Sequence, residues 1–343
     1  MMTHQTAMAR ETAEAPEAVA RLIDREHGRI ADLGRRIREL DPPVVATCAR
    51  GSSDHAAGYL KYALELTTGV PVASIGPSVA SVYGAPLRLT GGVLVTISQS
   101  GKSPDVVALQ AAAKRSGALT VAFVNVEASP VGEAADVTIP LHAGPETSVA
   151  ATKSFIASVA AAAALTAAIT GDAALEAAVR RLPETLAGAL KTDWSAADET
   201  FRTAGSLFVV GRGPGFPIAQ ETALKAKETA AIHAEAFSTA EVMHGPLRLV
   251  ENRFPVLALA PDDRAAEANR DGIGRLIKAG GTVFTATAID MPGTRLATMP
   301  TGHGLTDPIS IALSVYRFME RVTRARGLDP DAPLNLAKVT ETV

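Results

Sequence analysis

Cysteine is almost absent from this sequence, because Cys48 is the only one among 343 residues. A single cysteine excludes an intrachain disulfide and a metal site built on several thiolates. Aromatic residues are also scarce, at 4%, whereas apolar residues as a class make up 47% of the chain. Small aliphatic residues, alanine above all, must therefore fill the core, which is typical of helices packed closely on parallel sheets.

The sequence also lacks a strong charge of either sign. The formal net charge is −3 and no basic run is present, so the electrostatic footprint of a nucleic-acid partner is missing. The N-terminus is acidic and polar and has no apolar core of a signal peptide. The most apolar segment, 157–170, is shorter than a membrane span and is expected to be a buried helix. We therefore expect a cytoplasmic protein without nucleic-acid or membrane partners.

Short apolar runs alternate with helical patterns through the first half of the chain. Strands are predicted at 44–49, 70–75, 93–97, 119–124 and 137–140. Helices are predicted at 8–40, 54–68, 104–116 and 129–134, and a long helix at 148–170. This alternation predicts an α/β fold with a parallel sheet covered by helices on both faces.

The second half of the chain repeats this plan. Apolar runs at 207–210, 255–260 and 281–286 correspond to the strands at 44–49, 93–97 and 119–124 at a nearly constant offset. We therefore predict two tandem α/β domains of similar fold. The expected boundaries are an N-terminal helical arm over 1–40, a first domain over 41–190, a second domain over 191–328 and a C-terminal tail over 329–343.

A hydroxyl-rich turn joins the predicted third strand to the helix that begins at Pro104. The turn 98–103 reads Ser-Gln-Ser-Gly-Lys-Ser and offers hydroxyls, an amide and backbone N–H groups at a helix N-terminus. Such a turn favours an anion, most simply a phosphate. An ordinary capped turn stays open as an alternative. A P-loop is disfavoured because Thr96 stands where that motif needs glycine.

Two turns in the second half of the chain also follow predicted strands but do not have the hydroxyl-rich sequence of the turn 98–103. Ala260-Pro261-Asp262-Asp263 follows the strand equivalent to 93–97, and its two carboxylates would repel a phosphate. We therefore expect one phosphate site per chain, in the first domain. Gly211, Gly213 and Gly215 suggest a dinucleotide loop, but Phe216 occupies the position of the last required glycine, and no nucleotide cofactor is expected.

A helix predicted over 218–236 places Glu221, Lys225 and Glu228 on one face. These residues suit either a solvated row of ion pairs or a carboxylate base beside an ammonium group. His244 follows in a loop, directly before Gly-Pro. The sequence His233-Ala234-Glu235 resembles part of a zinc deaminase motif, but the paired cysteines of that motif are missing, so no metal is expected.

Seven motifs occur in order along the chain: Arg50-Gly51-Ser52-Ser53, the turn 98–103, the segment 143–155, Ala223-Leu224-Lys225-Ala226-Lys227-Glu228, His233-Ala234-Glu235, His244-Gly245-Pro246-Leu247 and Asn335-Leu336-Ala337-Lys338. Together they resemble the sugar isomerase (SIS) family, and in particular the isomerase half of the glutamine–fructose-6-phosphate aminotransferases. The resemblance implies two three-layer αβα domains with flavodoxin-like parallel sheets.

The resemblance also implies a role for each matching residue. Binding of the sugar phosphate is implied for Ser98, Gln99, Ser100 and Ser103, and lining of the sugar site for Ser53, Val149, Ala151 and Ala337. Ala151 replaces a serine that is usual in the aminotransferases, so one hydrogen bond is expected to be lost. Glu228 resembles the base that moves a proton between C1 and C2, and Lys225 the lysine that engages the open-chain carbonyl. His244 resembles a ring-opening histidine supplied by the neighbouring subunit, and Lys338 a lysine that closes over the substrate.

The resemblance leaves several activities open. The sequence contains no glutaminase domain, which favours a stand-alone glucosamine-6-phosphate deaminase that acts as a homodimer without cofactor. The alternatives are a fructosamine-6-phosphate deglycase, another phosphosugar isomerase, an aminotransferase-like protein that lacks the glutaminase, and a non-catalytic sugar-phosphate sensor. A sensor would have no need of Glu228, Lys225 and His244 together.

Overall fold

The structure, a computed structural model, describes residues 5–338. The ends of the predicted arm (1–4) and of the predicted tail (339–343) lie outside the described residues. The described chain forms two compact units. We call them the N-unit, which comprises 17–146 and 153–180, and the C-unit, which comprises 5–16, 147–152 and 181–338.

Ten strands and twelve α-helices make up the described chain. The strands are β1 (Val45–Cys48), β2 (Val72–Ser74), β3 (Val93–Ser98), β4 (Leu119–Val124), β5 (Val137–Pro140), β6 (Ser206–Gly211), β7 (His233–Ser238), β8 (Pro255–Leu259), β9 (Thr282–Thr287) and β10 (Thr294–Ala297). The helices are α1 (Ala7–Ala13), α2 (Ala15–Leu40), α3 (Ser52–Thr68), α4 (Ser78–Ser81), α5 (Pro104–Arg115), α6 (Pro130–Ala134), α7 (Lys153–Thr170), α8 (Ala173–Ala189), α9 (Asp198–Thr203), α10 (Gly215–Glu228), α11 (Ala266–Lys278) and α12 (Asp307–Ala325).

Each unit contains one five-stranded parallel sheet, and the two sheets have the same strand order. The order is β2-β1-β3-β4-β5 in the N-unit and β7-β6-β8-β9-β10 in the C-unit. Every residue of β3 and β4 is buried, which requires helices on both faces of the sheet. The prediction of two tandem α/β domains with flavodoxin-like sheets and an N-terminal helix is confirmed.

Helix α7 forms the centre of the N-unit. By length and composition, this 18-residue helix could cross a membrane, although the apolar segment 157–170 alone is too short to do so. However, 78% of the helix is buried inside the protein. It is therefore a core helix, as predicted for 157–170. Its start was predicted too early. Glu146 accepts hydrogen bonds from the Ser154 amide (3.0 Å) and hydroxyl (2.7 Å), so the helix begins at Lys153 and not at 148.

The helix predicted over 218–236 is also wrong at its C-terminal end. Helix α10 ends at Glu228, and Ala231 then adopts a left-handed conformation with φ of 52°. The Ile232 amide donates to the Ala226 carbonyl (3.0 Å) and closes the turn. The chain then enters the edge strand β7, which begins at His233 and pairs with β6. The strands β7 and β10 were not predicted.

Two glycines of α2 give a matched test of this packing. Gly34 lies against α7, where an added Cβ would be 2.5 Å from the Cβ of Ala168, whereas nothing lies within 4 Å of a Cβ at Gly28. We expect Gly34→Ala to lower the free energy of unfolding by about 1–3 kcal/mol through overpacking. Gly28→Ala is expected to raise it by about 0.5–1 kcal/mol, because alanine favours the helix. Urea unfolding of both variants decides this, and equal effects would contradict the helix contact.

Candidate active site

The predicted phosphate turn follows β3 and leads into α5. The Gly101 amide donates to the Ser98 hydroxyl at 3.0 Å, and Gly101 has a φ of 63°. A Cβ at position 101 would lie 2.2 Å from the hydroxyl of Ser129, so only glycine lets the turn pack this closely. The side chain of Ser98 is buried, while Gln99, Ser100 and Ser103 are half-buried. The turn therefore presents several polar groups at its surface on a fixed backbone.

The N-terminus of α5 contains a buried carboxylate, which is unusual for an anion site. Ser103 occupies the N-cap position, but its side chain makes no capping hydrogen bond. Asp105 in the first turn is fully buried, and one of its oxygens accepts from the Val106 amide at 2.9 Å. A bare carboxylate at this point would repel a phosphate.

Arg50 compensates the charge of Asp105. Its Nε and Nη2 donate to one oxygen of Asp105 at 2.9 and 2.7 Å. Arg50 comes directly after β1, and β1 and β3 are neighbours in the sheet. The ion pair therefore ties the loop after β1, which leads to Ser53 at the start of α3, to the phosphate turn. Both loops lie at the point where the strand order reverses, where parallel α/β sheets bind their ligands.

The same charges act on Cys48, the last residue of β1. Burial raises the pKa of its thiol to about 12, and the carboxylate of Asp105 adds to that rise, while Arg50 opposes it. The thiol is therefore protonated at neutral pH, and Cys48 is an inert core residue.

In the C-unit, the three charged residues of α10 form one cluster. Lys225 is fully buried and donates to Glu228, and its Nζ lies 3.3 Å from Glu221. Glu221 is also buried, and it accepts a hydrogen bond from the hydroxyl of Tyr316 on α12 at 2.9 Å. The cluster is therefore not the solvated row of ion pairs that the sequence left open.

The ammonium group of Lys225 stays charged in this position. Burial lowers the pKa of Lys225, but Glu221 and Glu228 outweigh that effect, and the pKa lies above its ordinary value of 10.5. Of the three side chains, only Glu228 reaches solvent, with 23% of its side chain exposed. The cluster thus offers one accessible carboxylate, held by a buried cation, that is able to accept a proton.

The other predicted residues of the C-unit lie on separate segments. His244 is exposed and ends a short 3₁₀ helix (Glu241–His244). Val149 and Ala151 are half-buried in the loop 147–152, which belongs to the C-unit. Ala337 is exposed and Lys338, the last described residue, is half-buried. The structure thus brings Lys225 and Glu228 together and places the remaining residues elsewhere in the unit.

The C-unit uses its sheet differently from the N-unit. The turn after β8 contains Asp262 and Asp263, and burial together with the charges of Asp307 and Asp262 raises the pKa of Asp263. This edge of the sheet is therefore electronegative. Helix α10 begins at that edge and runs back along the sheet, so Glu228 lies towards the opposite edge, where the strands begin. The sequence repeat gave no indication that Glu228 would lie at the opposite edge of the sheet from the turn after β8.

The family model that matches this chain is the SIS domain, which covers residues 44–168 and 200–292. Glutamine–fructose-6-phosphate aminotransferase from Thermotoga maritima is 33% identical over 318 residues, which are 88% of this chain and 52% of that protein. The chain spans about half the length of the curated relatives it matches.

Solved structures give a similar picture. A crystal structure from Silicibacter pomeroyi, which has the provisional designation of phosphosugar isomerase, is 47% identical, with a TM-score of 0.91, 95% of this chain covered and 100% of that chain. Glucosamine-6-phosphate deaminase from Thermotoga maritima is 19% identical, with a TM-score of 0.79, 98% of this chain covered and 100% of that chain. The second likeness is one of fold.

We predict that Arg50 stabilises the phosphate turn through Asp105. Arg50→Met leaves a fully buried carboxylate without its cation, and we expect a loss of about 1–3 kcal/mol in the free energy of unfolding, since Arg50 itself is half-exposed. The double variant Arg50→Met/Asp105→Asn should recover part of this loss. Guanidinium unfolding measures both, and a double variant less stable than Arg50→Met would contradict the pairing.

The buried cluster predicts a defined pH dependence for Lys225. Because the folded-state pKa is raised, the contribution of its charge to stability is complete below about pH 10.5 and is lost as the pH rises through the raised pKa. Lys225→Met should cost about 3–5 kcal/mol, because two carboxylates lose their cation. The difference from the wild type should be constant from about pH 7 to 9 and should shrink at higher pH.

Lys227→Met is the matched control for this measurement, because Lys227 lies on the same helix and is exposed. We expect it to change the free energy of unfolding by less than about 0.5 kcal/mol. A difference that already shrinks between about pH 7 and 9 would show that Lys225 loses its proton there, against the direction of its pKa shift.

Proposed function

The chain belongs to the SIS domain family, and from that premise we propose that it is a phosphosugar isomerase that converts glucosamine 6-phosphate into fructose 6-phosphate and ammonium. The observation that carries this proposal is the cluster of α10: a buried, charged Lys225 beside Glu228, whose carboxylate reaches solvent. The ion pair with Lys225 holds the carboxylate of Glu228 in a fixed position at the surface, and a positioned carboxylate can serve as a general base.

We assign the phosphate of the substrate to the turn 98–103, with Ser98, Gln99, Ser100 and Ser103 as its ligands and Ser53 nearby on α3. The support is the fixed backbone of the turn, its N–H groups at the start of α5, and the neutralisation of Asp105 by Arg50. Binding energy from a phosphate remote from the reacting carbons positions those carbons for reaction.

We assign the proton transfer to Glu228. The open-chain aldehyde of glucosamine 6-phosphate loses the proton on C2 to Glu228 while O1 takes up a proton, and an enolamine with a C1–C2 double bond forms. Glu228 returns its proton to C1 and the amino nitrogen gives up one proton, which leaves a hydroxymethyl group at C1 and an imine at C2. Water adds to C2, the C–N bond breaks, and fructose 6-phosphate and ammonium are released. A single carboxylate can thus serve both carbons in the proton transfer from C2 to C1.

We assign opening of the sugar ring to His244 of a neighbouring subunit, in a homodimer with shared active sites. The support is the exposure of His244 at the end of its 3₁₀ helix, where the imidazole is free to enter another molecule's site. Val149, Ala151 and Ala337 would line the sugar, and Lys338 would close over it. The cytoplasmic location and the domain boundaries stay predictions.

We predict that turnover of glucosamine 6-phosphate depends on Glu228 as the base. Purified protein should release ammonium and fructose 6-phosphate in equal amounts from glucosamine 6-phosphate, as measured by coupled assays. Glu228→Gln should lower kcat by about 10²–10⁴-fold while leaving fructose 6-phosphate binding largely intact. Glu267→Gln removes an exposed carboxylate on α11 outside the family motifs; it is the control and should retain full activity.

The outcomes of that assay separate the remaining activities. Fructose 6-phosphate binding without ammonium release would refute the deaminase and direct the search to fructosamine 6-phosphate or another ketose phosphate. Normal turnover by Glu228→Gln would show that the base is assigned wrongly. Absence of any phosphosugar binding by calorimetry would refute the proposal as a whole.

We also predict that each active site combines Glu228 of one subunit with His244 of the other. Glu228→Gln and His244→Ala should each be inactive when purified alone. Co-expression should restore roughly a quarter of the wild-type activity, because a mixed dimer contains one site with both native residues. No recovery in mixtures shown by mass spectrometry to contain mixed dimers would place His244 and Glu228 in the same chain's site.

A further inference from the structure

Helix α1 is packed with the C-unit, although it comes from the start of the chain. Its Glu11 is only 2% exposed. One carboxylate oxygen accepts from the Thr147 amide (2.5 Å) and hydroxyl (2.8 Å), and the other accepts from the Ser148 amide at 3.2 Å. The buried carboxylate of Glu11 thus accepts hydrogen bonds from two consecutive residues of one loop, Thr147 and Ser148.

That loop is the segment 147–152, which has no regular secondary structure before α7 begins. Val149, which we assign to the sugar site, directly follows the two residues that Glu11 holds. Hydrogen bonds to an ionised acceptor are about twice as strong as those between neutral groups, and they are directional. The position of the loop backbone therefore depends on where α1 places the Glu11 carboxylate.

The N-terminus of α1 is fixed by the segment that leads to the tail. Asp331 accepts from the amides of Ala7 and Met8 at 2.5 and 2.8 Å. Thr6 caps the helix by accepting from the Ala9 amide, and its hydroxyl donates to Glu320 of α12 at 2.9 Å. One short helix is thus bonded at one end to the base of the tail that contains Lys338 and at the other to the loop 147–152.

We propose that Glu11 is a positioning residue for the substrate and that α1 is a strut between the tail and the loop 147–152. Its effect on catalysis rests on the proposed function, whereas its effect on the loop does not. Loss of the Glu11 carboxylate displaces Val149 and Ala151, so it weakens the binding of the sugar and leaves the proton transfer at Glu228 almost unchanged.

The test compares Glu11→Gln with Glu17→Gln, an exposed carboxylate two residues into α2. Hydrogen–deuterium exchange should show at least about tenfold faster exchange in the peptide containing 147–152 for Glu11→Gln only. The KM for glucosamine 6-phosphate should rise about five- to tenfold, with kcat changed less than about twofold. A general loss of stability would instead raise exchange throughout the C-unit.

Thr147→Val keeps the test valid if Glu11→Gln folds poorly. It removes only the hydroxyl bond to Glu11, so we expect the same changes at smaller size. The combined variant should show less than the product of the two single effects, because both remove one shared contact. Independent, multiplicative effects on exchange and KM would overturn the assignment of Glu11.

Asp331→Asn tests the strut itself. Asp331 accepts hydrogen bonds from the start of α1, so faster exchange at 147–152 in this variant supports the coupling, and unchanged exchange overturns it. If the wild type does not turn over glucosamine 6-phosphate, the proposed function fails while the exchange results still decide the role of Glu11. Faster exchange with unchanged KM would overturn the role in substrate positioning.

Discussion

The buried ammonium of Lys225 is the interaction on which the arrangement of the C-unit depends. A fully desolvated cation costs several kcal/mol unless opposite charges surround it. Glu221 and Glu228 supply those charges from the same helix, one turn before and one turn after Lys225. Tyr316 then fixes Glu221 from α12. The packing of α12 on α10 is therefore under an electrostatic constraint as well as a hydrophobic one.

The two units have the same fold but different charges at their corresponding turns. In the N-unit, the reversal of strand order between β1 and β3 is available to an anion because Arg50 neutralises Asp105. In the C-unit, the corresponding turn contains Asp262 and Asp263 and disfavours an anion. The cluster of Glu221, Lys225 and Glu228 lies on α10, whose C-terminal end is at the other edge of the sheet. In the function that we propose, the two units share one fold and divide phosphate binding from proton transfer.

The sequence predicts strands with continuous apolar runs better than strands of mixed composition. The strands β3 and β4 were placed correctly because their apolar runs are fully buried, and the edge strand β5 was also found. The edge strands β7 and β10 were missed, since His-Ala-Glu-Ala-Phe-Ser and Thr-Arg-Leu-Ala contain too few β-branched and apolar residues to differ from a helix or a loop. The end of α10 depends on the left-handed Ala231, which no local pattern signals.

The candidate site shows a similar division. Family motifs identify the turn 98–103 and the cluster of α10, because the residues of each are contiguous or one helical turn apart. The contacts that hold the phosphate turn and the loop 147–152 join residues distant in sequence: Arg50 and Asp105 are 55 residues apart, and Glu11 and Thr147 are 136 apart. Periodicity contains no information about such pairs, since they form only when the tertiary fold brings two loops or a helix and a loop together.

Three buried carboxylates, Glu11, Asp105 and Glu221, have a common physical role in this protein. An alanine-rich core packs well but tolerates small displacements, because dispersion contacts are weak individually and not directional. A buried carboxylate tolerates few displacements, since each lost hydrogen bond leaves a desolvated charge. Each of the three joins a segment that we assign to the substrate to another element of the fold. Directional contacts of this kind fix the positions of those segments, and catalysis needs atoms placed within fractions of an ångström.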